Sequence, residues 1–155
     1  MKNVWPFAAA LLLLGACSKE GEQTAAPVPG IAVRQFDPAS ITRGARLFEE
    51  HCVLCHGPQA QGHPDWQTPS DGVFAAAPPL NGTGNDWKRS RIELVATIRN
   101  GVRRKSDKVD VMPAWKVRLS EQDIEDMLNW LQSLWPAEIY DAWTKTQAAA
   151  ATPKS

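Results

Sequence analysis

Net charge of either sign is the first thing this sequence lacks. Lys plus Arg and Asp plus Glu number 17 each, so the formal charge at neutral pH is zero, and no summed field draws in a polyanion. Nucleic acid is therefore not an expected partner. Long apolar runs are missing too: Val4 to Leu14 is too short to span a bilayer as a mature helix. Strict two-residue alternation of apolar and polar residues is found nowhere, which argues against a sheet-built domain. Cysteine and histidine are scarce, at three each. Structural zinc usually takes four ligands in two pairs, and this chain offers one compact group of such residues. What remains is ordinary for a soluble globular protein, with 43% hydrophobic and 22% charged residues in 155. That length gives one domain with a small core.

The chain is expected to divide unevenly. Residues 1–16 read as an export signal: Lys2 gives a positive start, the apolar run follows, and small residues Gly15-Ala16 close it. The residues "LGAC", Leu14 to Cys17, resemble the lipobox of bacterial lipoproteins, which implies lipidation of Cys17 and a membrane anchor on the periplasmic side. The alternative is a plain secreted protein cut nearby, with Cys17 a stray thiol. Residues 17–36 are polar and contain Pro and Gly, as a flexible tether does, with a reach of about 25 Å. The folded domain is expected over 37–143, and 144–155 as a disordered tail.

Within 37–143 the pattern is helical. Ser40 is a candidate N-cap for a first helix in which Ile41, Gly44, Ala45 and Phe48 share a face. Ser90 with Glu93 forms a capping box ahead of an apolar stripe of Ile92, Val95 and Ile98, and Asn100-Gly101 supplies a stop. Ser120 with Asp123 opens another helix carrying Ile124, Met127, Leu128, Leu131 and Trp135, and Pro136 starts a short last helix through Trp143. Between the first two lies a Gly/Pro-rich stretch, Gly57 to Asp86, with no regular period. So long a loop in a small domain calls for something other than protein to fill the space it encloses.

The loop follows directly on "HCVLCHG", His51 to Gly57, which holds two of the three cysteines and two of the three histidines. Cys52-Val53-Leu54-Cys55-His56 is the C-x-x-C-H pattern for attachment of a c-type haem. Two thiols at that spacing add across two vinyl groups of the porphyrin, and the next histidine is placed to ligate iron. A thioredoxin-like dithiol needs a βαβ context that is not present. A plain disulfide explains neither His56 nor the loop.

The segment from Thr42 to Trp135 resembles a class I c-type cytochrome. Gly44 and Phe48 match the family's first helix, and Met127 and Trp130 the face of the last helix that it crosses. The resemblance implies an all-α fold, a small helical domain wrapped around one covalently bound haem c with long irregular loops. It implies that in "APPL" the Pro78 carbonyl accepts the Nδ1 proton of His56, that Leu80 packs on the ring, and that Met112 in "VMPAW" is the second axial ligand. Met127 is the less suitable methionine because it falls on the core stripe; His63 is the rival ligand, awkwardly close to His56. Trp115 is a candidate shield for the methionine side. Trp87, Arg89 and Arg91 either meet the haem propionates or form a solvated helix start, and His51 is read as an exposed helix end.

With both axial positions filled and no nucleophile or acid/base pair beside the motif, the expected role is electron transfer by a monomeric, membrane-tethered periplasmic carrier. The alternative is a haem enzyme, or an electron-accepting subunit of a periplasmic oxidoreductase. Arg103, Arg104, Lys105 and Lys108 form a local basic patch, which is either a docking lip for an acidic redox partner or a solvated loop.

Overall fold

The computed structural model describes residues 34–68, 76–104 and 109–151. Cys17, the tether to residue 33, Lys105 and Lys108 lie outside the described residues. Among these described residues are five helices and one small hairpin: α1 (Pro38–His51), α2 (Val53–His56), α3 (Arg91–Asn100), β1 (Val102–Arg103), β2 (Asp110–Met112), α4 (Glu121–Leu134) and α5 (Ala137–Ala151). A single 3-10 turn, Asp86–Lys88, precedes α3. The domain is mostly helical, as expected, and the antiparallel β1–β2 pair, with Val102 opposite Met112, is an addition the pattern did not show. Strands of two and three residues are too short to display a period of two.

The core forms where α1 crosses α4. Leu47 and Phe48 of α1 are buried with Ile124, Met127, Leu128 and Leu131 of α4, and Phe48 meets Trp130 with ring centroids 4.6 Å apart. Each such side chain contributes about 1.5–3 kcal/mol by leaving water. Gly44 sets the closeness of the crossing. A Cβ there would lie 2.1 Å from the Asp126 carbonyl oxygen, on the backbone of α4.

Three local expectations change. The N-cap of α1 is Asp37, which accepts from the N–H groups of Ala39 and Ser40, with Pro38 as the first helical residue. Ser40 is buried in the helix crossing, where its hydroxyl donates to Asp126 at 2.6 Å, and Asp126 also takes the Arg43 guanidinium at 2.7 Å. On α3 it is Leu94 that is buried, with Val95 and Ile98 partly so, whereas Ile92 is 81% exposed. Finally, α5 runs to Ala151, well beyond Trp143 and into the expected tail. Buried Trp143 and a bond from the Arg91 N–H to Gln147 Oε1 hold it to the domain. Both capping boxes form as expected, at Ser90 with Glu93 and at Ser120 with Asp123.

Candidate haem-binding site

Cys52 closes α1 and opens α2. Its carbonyl accepts from the N–H groups of Cys55 at 3.2 Å and His56 at 3.0 Å, so the whole C-x-x-C-H pattern is a single helical turn. Residues three and four apart share one side of a helix, which sets both thiols and the imidazole together. The thiols are free, Cys55 exposed and Cys52 partly buried. Burial, with Cys55 adding to it, pushes the Cys52 thiol up to about 11, the opposite of the lowered value a reactive dithiol pair needs. Its sulfur is 4.0 Å from that of Met127. Among the described residues no three His, Cys, Asp or Glu side chains converge as a metal cage would require.

His56 is buried, and its Nδ1 lies 2.9 Å from the Pro78 carbonyl oxygen. A carbonyl only accepts, so this contact puts the ring proton on Nδ1 and leaves the Nε2 lone pair for a metal. Desolvation lowers the pKa of His56, and the bond to Pro78 partly opposes it. The neutral imidazole, the ligating form, is thus favoured. Two free thiols beside an imidazole with a fixed tautomer form a donor set that fits a covalently attached haem.

The loop that carries Pro78 is tied back to the motif. The Gly62 N–H bonds to the His56 carbonyl at 2.8 Å, and the Leu80 N–H to the Ala60 carbonyl at 2.7 Å. Ala60 is fully buried with a positive φ of 53°. Sequence reasoning missed this residue, because alanine carries no signal for a left-handed turn. Leu80 is partly buried against the core.

Met112 is on β2, half-buried. Gly101, at φ +71°, lets the end of α3 meet that strand: a Cβ on it would lie 2.4 Å from the Met112 carbonyl. The following segment is pinned to α3 by bonds from the Trp115 N–H to Ile98 and the Lys116 N–H to Arg99. Met127, by contrast, is 1% exposed inside the core. His63 is on the surface, where its Nδ1 accepts from the Asp65 N–H at 3.1 Å.

Several residues differ from expectation. His51 is only partly exposed, with its ring 5.2 Å from that of Trp115; Arg118 lies over the same indole at 6.0 Å. Arg91 faces α4, where it pairs with Glu125 and donates to Gln132 and Asn129 at 2.9 Å each. Those bonds commit Arg91 to joining α3 with α4. Arg89 donates to Thr97 at 3.1 Å, and the Trp87 indole to the Gly84 carbonyl at 3.1 Å. In the basic patch, Arg103 pairs with Asp110 at 3.2 Å.

Residues 39–131 match the family described as cytochrome c oxidase, cbb3-type, subunit III. The chain belongs to this family of c-type cytochrome domains. It is 33% identical over 114 residues to the cbb3-type oxidase subunit CcoP of Azospirillum brasilense, covering 72% of this chain and 34% of that protein. To the cytochrome c subunit of the cytochrome bc1 complex of Mycobacterium leprae it is 41% identical over 70 residues, or 43% of this chain and 24% of that one. The chain thus spans about a third of the length of the CcoP relative. The crystal structure of cytochrome cL from Methylophaga aminisulfidivorans MPT shares the fold, with a TM-score of 0.51 and 21% identity over 88% of this chain and 87% of that one. The chain is thus a class I-like c-type cytochrome domain. No helix among its described residues is long and apolar enough to cross a membrane.

Proposed function

We propose that this cytochrome is a membrane-tethered electron carrier on the periplasmic side of a bacterial membrane, with one haem c held through Cys52 and Cys55 and ligated by His56 and Met112. The observation that carries the reading is the 2.9 Å contact of His56 Nδ1 with the Pro78 carbonyl, because it prepares the ring as a ligand. When bound, the haem supplies a one-electron couple. The chain's part is to hold and tune it. Cys52 and Cys55 would hold the haem through their sulfurs. His56 gives Nε2, and the Met112 thioether favours the ferrous state and raises the potential. Leu80 and Trp115, both partly buried against the core, would line the haem, Trp115 on the methionine side. Cys17 carries the lipid, and residues 17–36 give the domain its reach.

A second reading, that the domain works as a subunit of a respiratory oxidoreductase, draws support from its similarity to subunits named for cbb3 oxidase and the bc1 complex. Co-purification with oxidase subunits from native membranes would select it.

The test of the carrier is direct. Denatured protein should retain haem by mass, and Cys52→Ala with Cys55→Ala should lose it; bound zinc without haem would end the reading. Met112→Ala should lower the potential and open the iron to carbon monoxide, which wild type should not bind. If that variant changes neither spectrum nor potential while a His63 variant changes both, Met112 is not the ligand. Cys17→Ser should release the protein from membranes; unchanged association would rule out the lipid anchor.

A further inference from the structure

Two tryptophans beyond the matched region, which ends at residue 131, reach back into the loop that faces His56. Trp135 follows α4 and Trp143 is on α5. Their rings stand edge to face with centroids 5.7 Å apart, and both are buried, at 2% and 7% exposure. The Trp135 indole N–H donates to the Leu80 carbonyl at 2.9 Å, and the Trp143 indole N–H to the Arg89 carbonyl, also at 2.9 Å. The paired indoles therefore grip both ends of the segment Leu80–Arg89. That segment's only regular structure is the 3-10 turn at Asp86–Lys88, so bonds of this kind fix its position.

Leu80 is two residues from Pro78. Its N–H bonds to Ala60 at 2.7 Å, so the residue is held on its N–H side by the loop after His56 and on its carbonyl side by Trp135. A backbone fixed at both peptide groups has little freedom to carry the Pro78 carbonyl away from the imidazole. The strength of that hydrogen bond controls how basic the ligand is, and a stronger bond favours ferric over ferrous iron. Tyr140, between the tryptophans in sequence, packs instead on Phe36 and Trp143 at 5.7 and 5.9 Å. Phe36 and Arg34 thus brace α5 from the chain entering the domain, Arg34 lying 5.0 Å over the Tyr140 ring.

We propose that Trp135 and Trp143 are positioning residues, a clamp that holds the Pro78 carbonyl on His56 and so sets the reduction potential. The inference rests on the reading of His56 as the haem-iron ligand. Both indoles act through the Leu80–Arg89 segment, Trp135 also bonding to the Asp86 side chain within it.

The experiment uses the full-length haem-loaded protein and the variants Trp135→Phe and Trp143→Phe, which keep an aromatic ring and remove only the N–H donor. Tyr140→Phe is the control on the same helix. Two quantities are read: exchange of the His56 Nδ1 proton in the ferrous protein by NMR, and the midpoint potential. Loss of one hydrogen bond of ordinary net strength corresponds to about a tenfold change in an opening equilibrium. Trp135→Phe should therefore speed exchange about tenfold and raise the potential, Trp143→Phe should do so more weakly, and Tyr140→Phe should change neither. Folded, haem-retaining tryptophan variants with wild-type exchange and potential would overturn the clamp, as would a Tyr140→Phe effect of equal size. A wild-type protein that retains no haem after denaturation would instead overturn the reading on which the clamp rests.

Discussion

Asp86 shows how one buried side chain ties stability to pH. It is 9% exposed, and its Oδ1 has no hydrogen-bond partner. Desolvation pushes its carboxyl up to about 6, with bonds from the Trp87 and Asp86 N–H groups and the Trp135 side chain only partly opposing this. A raised carboxyl binds its proton more tightly in the folded chain than in the unfolded one. Its stabilising effect is therefore complete below about pH 4 and is lost as pH rises through about 6. The span is at most about 3 kcal/mol. Three other carboxyls act with opposite sign and at lower pH. Asp126 is held down by Arg43, Asp123 by the Ser120 side chain and Glu93 by the Ser90 N–H. Denaturant titrations at pH 4.5 and 6.5 should show wild type losing stability between them and Asp86→Asn losing much less. Equal losses in both proteins would assign the slope to another group.

At the scale of elements, the crossing of α1 and α4 depends on one missing side chain. In Gly44→Ala the new methyl would meet the Asp126 carbonyl at 2.1 Å and its carbon at 2.6 Å. Neither belongs to a flexible side chain, so the helices must separate, loosening Phe48 from Trp130 and Ser40 from Asp126. Overpacking of this kind costs about 1–3 kcal/mol, more than the better helix propensity of alanine returns. The denaturation midpoint should fall accordingly, and an unchanged midpoint would show that the crossing has slack. The glycine and its aromatic partner four residues on were legible in the sequence. The role of Ser40 was not, because serine three residues into a helix has the same composition as serine at its cap. Only the approach of Asp126 distinguishes the two.

For the whole molecule, the absence of net charge makes local charge decisive. Arg103 and Arg104 stand on the hairpin that also carries Met112, with Lys105 following in sequence. Reversing all three to Glu should slow electron exchange with an acidic partner at low ionic strength, and the difference should fade as the Debye length shrinks below about 8 Å above physiological salt. Stopped-flow rates across a salt series check this. Rates equal to wild type at every ionic strength would leave the patch as a solvated loop, an outcome the Arg103–Asp110 pair already favours for one of its charges.

The features that could be read from the sequence are the ones local in it. C-x-x-C-H occupies one helical turn, a capping box spans four residues, and the Gly101 stop adjoins its helix, so spacing along the chain equals spacing in space. What needed the fold were the contacts between distant residues. Arg91 was drawn to α4 by Glu125, Ile92 was turned outward while Leu94 was turned in, and α5 continued past Trp143 because it packs on the segment before α3. Trp135 and Trp143 lie 55 and 54 residues from the carbonyls they hold. No pattern within a segment encodes such a bond, since its formation depends on where two independently folded stretches are brought together by the burial of their apolar faces.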